Sequence, residues 1–458
     1  MNWSDIVQAG ASLVTLGIVG WLVTWIYRLY QEREHSLKDR YEGKIDLLEE
    51  RLKLKDEEIN RERRGRERHA EIVDAERKLW EIQKEAGIAP DEPLPHEPME
   101  LSTELTNSIR EILSKLEQIS IELPLPNLHL LISRGNAYAT TGQYEKAIPF
   151  YDEAINLDPD VWLVYYNRGL AYREIGRLEA AINDFSKVLE LEHEDVGSYC
   201  NRGQAYGELG EFELSLRDFD KVLELDSEHT DAYRNKGIIF TKLGQHEEAI
   251  KEFSNAINLE PDYSDTYSRR GTAYVELGQY EKSIEDFTKA IELKIDLVEA
   301  YHNRGFAYRE LGEYAKAIED FSKAIKIKPD LAEAYQNKSI IYYQLGHLEE
   351  AISDINKFIE LKPDAIEGYC NRGQIYIKLK KPELALKDLD TVLELDPDHS
   401  SAYYNKACAY SIMREPNNAI ALLQKAISLN TSYIEEARGD KYFDNIRDDP
   451  RFKELLSL

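Results

Sequence analysis

The pattern of apolar and polar positions divides the chain into five stretches of different character. Residues 6–27 read IVQAGASLVTLGIVGWLVTWIY, 22 residues without a charge. As a helix this stretch is about 33 Å long, enough to cross the hydrocarbon core of a bilayer. Trp3 stands near one end, and Trp21, Trp25, Tyr27 and Tyr30 near the other, as interfacial aromatics do. A cleaved leader fits less well, because MNWSD has no basic n-region and no A-x-A site follows. A buried core helix needs an apolar partner, and the residues that follow are highly charged. Asp5 precedes the stretch, while Arg28, Arg33, Lys38 and Arg40 follow it. The expectation is a single-pass transmembrane helix with the N-terminus outside and the rest of the chain cytoplasmic.

Residues 28–88 predict a charged helix. Between Gln31 and Ala86 there is no proline, and Tyr41, Ile45, Leu48, Leu52 and Ile59 follow heptad spacing, with Lys55 interrupting one core position. Two readings stay open: a coiled coil that makes a homo-oligomer, or a single charged helix acting as a spacer. The Arg61, Arg63, Arg64, Arg66 and Arg68 cluster is interleaved with Glu62 and Glu67, which reads as a solvated face. Residues 89–127 begin with APDEPLPHEP, an extended proline-rich linker. An amphipathic helix follows, with Leu105, Ile109, Ile112, Leu116 and Ile119 on one face, placed to cap whatever comes next.

From 128 to 433 the pattern repeats every 34 residues, nine times, without insertion or deletion. A glycine recurs at 135, 169, 203, 237, 271, 305 and 373, with Ser339 and Ala407 in the same register. Four residues before it stands Tyr165, Tyr199, Tyr233, Tyr267, Tyr301, Tyr335, Tyr369 or Tyr403; three residues after it stands another aromatic, such as Tyr172 or Phe240. These spacings put the aromatics on one helical face around a small residue that admits a neighbouring helix, and so predict an aromatic core. A turn glycine follows (Gly142, Gly176, Gly210, Gly244, Gly278, Gly312, Gly346), replaced by Lys380 and Arg414 in the last two units. A second helix carries a small residue, such as Ala249, and a large one four residues later, such as Phe253. Pro159, Pro261, Pro329, Pro363 or Pro397 closes the unit, with His193, Ser227, Ile295 and Thr431 as departures.

This period and order of small and large residues closely resemble the tetratricopeptide repeat family. The resemblance implies an all-α, right-handed superhelical solenoid of helix–turn–helix units, whose first helices line a concave groove. One hairpin cannot bury both faces, so neighbouring units must stack and the ends need caps. Residues 434–458, including FDNIRDDPRFKELL, resemble the closing segment that follows many bacterial arrays of this kind; Phe443, Ile446, Phe452 and Leu455 are its covering residues.

Two residues before the small position runs a row of Asn167, Asn201, Asn235, Arg269, Asn303, Asn337, Asn371 and Asn405, with Ser133 in the first unit. Asparagine is a poor mid-helix residue, so its recurrence points to a gain elsewhere. Its amide both donates and accepts, which suits a peptide backbone. The row resembles the asparagine ladder of the O-linked N-acetylglucosamine transferase family, which implies that it grips an extended partner segment. Inheritance by duplication, or amides bonded between units, explains the same row without a ligand. The adjacent positions vary (Tyr166, Cys200, Arg234, Ser268, His302, Gln336, Cys370, Tyr404) and are where specificity is expected. The resemblance does not extend to a carboxylate clamp for chaperone tails: Ile132, Gly197 and Asn201 stand where its cations belong.

Composition narrows the partners. A formal charge of −28 repels nucleic-acid backbones and allows a protein partner with an extended or basic segment. Cys200, Cys370 and Cys408 are scattered within repeats and form no disulfide framework or zinc motif. The sequence has no phosphate-binding loop, no H-E-x-x-H and no G-x-S-x-G, so neither enzyme, cofactor nor metal is expected. The expectation is a membrane-anchored adaptor that binds protein in its groove; the alternative is an oligomeric scaffold organised by the stalk.

Overall fold

The computed structural model describes residues 38–88, 93–95, 102–119, 128–294 and 296–457. Among these residues every regular element is a helix. The single-pass membrane placement is overturned: no helix among the described residues is long and apolar enough to cross a bilayer. The longest, α1 (Lys38–Glu85), is crowded with charge along its length, and a hydrocarbon core would strip those charges of water. Residues 6–27, on which that expectation rested, lie outside the described residues, as does Ile295.

The chain divides into two compact units, Met1–Ala180 and Ala181–Leu458. The first unit joins the end of α1 to the first repeat. Leu48, Leu52 and Ile59 of the heptad seam stand exposed. Further along, Ile72, Ala75, Leu79 and Gln83 are buried, at spacings of 3, 4 and 4 that make one helical stripe. That stripe packs on α2 (Thr103–Ile119) and on α3 (Leu128–Thr140), which also touch each other. Ile109, Leu113 and Leu116 of α2 are the matching apolar side chains. Each buried leucine or isoleucine contributes about 2 kcal/mol. The last third of α1 is therefore part of the array's end and not a solvated stalk. α1 stops at Gly87, whose φ of 72° lets the Ile88 amide reach back to the Gln83 carbonyl at 2.7 Å.

The repeats explain themselves locally. The first helix of each unit ends with the amide two residues past its last turn bonded to the carbonyl of the inner aromatic: Gln245 to Phe240 and Glu313 to Tyr308, at 2.9 and 2.8 Å. Where glycine is missing, Lys380 and Arg414 take the same left-handed conformation, at φ 55° and 61°. Lys381 and Glu415 still bond back to Tyr376 and Tyr410, both at 2.9 Å. Replacing the turn glycine leaves the geometry intact and adds strain.

In the second unit, the core lies between the small residue of the first helix and the large residue of the second. A Cβ on Gly237 would lie 2.6 Å from the Phe253 ring, and one on Gly271 2.9 Å from Phe287. Phe219, Phe253, Phe287 and Phe321 are fully buried there. Of the outer tyrosines, Tyr267 and Tyr301 are buried as the predicted aromatic core requires, and others are not. Tyr199, Tyr233, Tyr335, Tyr369 and Tyr403 are half-buried. Their hydroxyls donate to the carbonyls of His193, Ser227, Pro329, Pro363 and Pro397, six residues back. They fasten the connector between units whether or not it carries proline. At the C-terminal end, Tyr433–Gly439 and Pro450–Leu456 follow the last hairpin, and Phe443, Ile446, Phe452 and Leu455 are buried in one cluster with Ala407 and Leu423.

Candidate functional site: the face of the first helices

In the second unit, first helices of successive repeats lie side by side: Val196–Leu209 touches Thr230–Lys242, which touches Ser264–Glu276, and so on to Ser400–Ile412. The asparagine row runs across them. Asn201 is fully buried, and its amide donates to the Gly197 carbonyl of its own helix at 2.8 Å. Asn235 does the same to Asp231 at 2.9 Å; it is half-buried, and its side-chain oxygen takes no hydrogen bond from the described residues. Arg269 breaks the row: it is exposed and paired with Asp265. Asn303, Asn337, Asn371 and Asn405 are half-buried. Asn337 accepts from Arg309 and lies 3.4 Å from His302 Nε2, whose Nδ1 is 3.1 Å from the Asn303 side-chain oxygen. His302 thus links two members of the row, and Arg309 holds one of them.

Asn371 opens onto a cavity of about 290 Å³ between Ala332–Leu345 and Ile366–Lys378. Ser339, Ile340, Tyr343, Gln344, Gln374 and Ile375 complete its lining. Two isoleucines and an aromatic beside an amide make a seat for one apolar side chain next to a main-chain contact.

The row also appears in the first unit, where it is occupied. Ser133 donates to Gln83 Oε1 at 2.6 Å, and Gln83 donates to the Ser133 carbonyl at 2.8 Å. The side-chain oxygen of fully buried Asn167 accepts the backbone N–H of Leu94 at 3.0 Å. Asn167 donates to Asn136 Oδ1 at 3.0 Å, which also accepts from the Tyr151 hydroxyl at 2.9 Å.

The adjacent row differs from its expected role. Tyr166, Cys200, Ser268, Cys370 and Tyr404 are buried. Only Arg234, His302 and Gln336 of that row retain exposure.

A second ladder was missed from sequence. Arg202, Arg270, Arg304 and Arg372 stand immediately before the small residue, and each makes a bidentate pair with an aspartate 16 residues on: Asp218, Asp286, Asp320 and Asp388, all at 2.7–2.9 Å. The third nitrogen reaches 16 residues back to Ser186, Ser254, Thr288 or Asn356. The guanidinium groups of Arg202, Arg270 and Arg304 also sit between two tyrosine rings, as Arg304 does at 5.7 Å from Tyr301 and 5.9 Å from Tyr308, while Arg372 lies over Tyr369. In Arg202, Arg270 and Arg304 burial is the largest single influence and lowers the guanidinium pKa, but the aspartate's hydrogen bonds and charge, with the neighbouring tyrosines, together outweigh it and raise the pKa. The aspartates are 2–5% exposed. The signal was present as an Arg/Asp spacing of 16 that recurs at multiples of 34 residues, with Lys236 and Glu252, and Lys338 and Asp354, in the repeats between.

The thiols are buried and reduced. Burial, helped by Glu367, pushes Cys370 up to about 11. Cys408 is pushed up by burial and by Asp440, which also accepts from the Tyr404 hydroxyl at 2.9 Å. Among the described residues, no group of three or more His, Cys, Asp or Glu side chains is placed to hold a metal.

Comparison with known proteins agrees with the repeat. The family described as tetratricopeptide repeat matches residues 197–229, 298–331, 366–399 and 389–421, and the family described as TPR repeat matches 135–176, 169–210, 237–278, 271–312 and 341–380. No curated protein matches the chain. Among solved structures, the chain is similar to MamA from Desulfovibrio magneticus RS-1, with 25% identity over 37% of this chain and 96% of that one, at a TM-score of 0.36. It is similar to YrrB, described as a TPR protein with an unusual peptide-binding site, with 27% identity over 40% and 95% of the two chains and a TM-score of 0.37. A tetratricopeptide repeat protein from Parabacteroides merdae ATCC 43184 shares 19% identity over 56% and 97%, with a TM-score of 0.41. The matched stretches together take up more than half of the chain, and they fall on the helical hairpins described above. The chain belongs to the tetratricopeptide repeat family, whose fold is typically a non-catalytic scaffold for contacts between proteins.

Proposed function

We propose that the chain is a protein-binding adaptor and that its second unit holds an extended partner segment along the face of its first helices. The observation that carries this reading is internal: Asn167, a member of the same row, already takes a backbone N–H from a proline-flanked segment. Asn235, Asn371 and Asn405 offer the same amide oxygen to a partner, Asn303 and Asn337 do so by releasing His302 and Arg309, and the cavity beside Asn371 receives one of the partner's apolar side chains. The partner is neutral or basic, since the chain carries −28. A peptide selected from a random library against the full chain provides the probe. Replacing Asn235, Asn303 and Asn337 with alanine removes three hydrogen bonds of about 1 kcal/mol each, which weakens that peptide about a hundredfold while leaving helicity unchanged. Unaltered affinity rejects the reading.

A second reading, self-association through α1, is supported by the exposure of Leu48, Leu52 and Ile59 at heptad spacing. It predicts a concentration-dependent oligomer in sedimentation that Leu48→Asp and Leu52→Asp together convert to monomer. A monomeric parent chain rules it out.

A further inference from the structure

The first unit contains a short segment whose burial the helices do not explain. Pro93, Leu94 and Pro95 form no helix, yet Leu94 is 7% exposed between two prolines that are themselves exposed. Proline has no amide hydrogen, so among these three residues only Leu94 can donate from the backbone. Pro95 also biases Leu94 toward extended backbone. That single donor meets the side-chain oxygen of Asn167 at 3.0 Å. Asn167 is held from behind by Asn136, and Asn136 by Tyr151, so the acceptor is fixed before Leu94 arrives. Ser133, the preceding member of the row, is taken by Gln83 through two hydrogen bonds. Every member of the row in this unit is therefore engaged by the chain's own N-terminal part.

We infer that Pro93–Leu94–Pro95 is a built-in ligand. It occupies the asparagine site of the first repeats and excludes from it protein segments of the same chemistry, namely an extended backbone with one leucine between prolines. This rests on the reading of the asparagine row as a main-chain grip. The arrangement states what that grip selects. One amide meets one asparagine oxygen, prolines on either side silence the neighbouring amides and so set the register, and an apolar side chain is buried beside the contact. It also confines an outside partner to the row of the second unit for as long as Leu94 stays in place.

The test uses the full chain and a fluorescent peptide with the sequence of residues 89–99, APDEPLPHEPM. Leu94→Asp places a carboxylate where the leucine is buried and empties the site. Fluorescence anisotropy should show the peptide binding this variant at least tenfold more tightly than the parent chain. Asn167→Ala added to Leu94→Asp should abolish the gain, as should replacing the peptide's own leucine with aspartate. Equal affinity for parent and variant, a gain that survives Asn167→Ala, or no binding to either chain overturns the inference.

Amide hydrogen exchange gives a readout that needs no released site. In the parent chain the Leu94 amide should be protected, and Asn167→Ala should speed its exchange at least tenfold while the amides of α3 keep theirs. An unprotected Leu94, or one indifferent to Asn167→Ala, overturns the inference by itself. Failure here is separable from failure of the adaptor reading, which is tested at Asn235, Asn303 and Asn337 with a different peptide.

Discussion

Glycine and its aromatic partner behave as one choice at the residue scale. Where the second helix presents a ring, the first helix has glycine: Gly135 with Tyr151, Gly203 with Phe219, Gly237 with Phe253, Gly271 with Phe287 and Gly305 with Phe321. Where the ring becomes Ile355 or Leu423, the glycine becomes Ser339 or Ala407, and all four side chains stay buried, whereas Gly373 remains glycine against Leu389. A branched aliphatic leaves room that a flat ring in contact does not. Gly237→Ala should therefore cost about 1–3 kcal/mol by overpacking, and Phe253→Leu in the same chain should recover part of that loss. Urea denaturation of the two single variants and the double variant measures the coupling, and strict additivity refutes it. The turn position obeys a different rule, because there the issue is φ and not space. Lys380 and Arg414 occupy left-handed backbone that costs a side chain about 1 kcal/mol. Lys380→Gly and Arg414→Gly should each stabilise by up to about 1 kcal/mol, an effect opposite in sign to most glycine substitutions in helices.

At the element scale, hairpins are joined by charge as well as by packing. The Arg–Asp pair closes one hairpin, and the same guanidinium reaches the preceding one, so each arginine bridges three helices. Asp320 is 2% exposed, and an unpaired carboxylate there is costly. Arg304→Met alone should destabilise by about 3 kcal/mol, whereas Arg304→Met with Asp320→Leu should return to within about 1 kcal/mol of the parent. A double variant as unstable as the single one would show that the arginine acts through its stacking between Tyr301 and Tyr308. These elements also show what the sequence made legible. The helix boundaries, the turns and the Gly–Phe contact follow from period and residue size, which act within one hairpin. The end of α1 was misread because its charge dominates its composition, while Ile72, Ala75 and Leu79 form too narrow a stripe to stand out beside it. The burial of Leu94 was illegible for another reason. Proline-rich composition announces an extended backbone but not what that backbone lies against, and its partner Asn167 is 73 residues away.

At the scale of the whole molecule, a stack of hairpins is only as secure as its ends, because each repeat borrows its core from a neighbour. In the second unit the C-terminal end is closed by Phe443, Ile446, Phe452 and Leu455 over the hairpin that carries Ala407, Cys408 and Leu423. Cys408 reports on this closure. It is 1% exposed and lies 3.8 Å from an oxygen of Asp440, which belongs to the closing segment. Burial and the nearby carboxylate raise its pKa, so the thiol stays neutral, and the thiolate is the form that reacts with electrophiles. Because the folded pKa is raised, this contribution to stability is whole below the ordinary thiol value of 9.0 and is lost as pH rises above it. Cys370, raised to about 11, adds a loss of the same sign. The full chain should therefore resist a maleimide at neutral pH and loosen in alkali. Deleting residues 434–458 removes both the apolar cover and Asp440, so Cys408 should become accessible and more acidic together. Its labelling rate should rise at least tenfold, while Cys200, far along the same unit, should stay slow until urea unfolds the chain. If both thiols accelerate together, the second unit melts as a whole and its repeats are more strongly coupled than nearest-neighbour stacking requires. If neither does, the last hairpin holds its core without the closing segment.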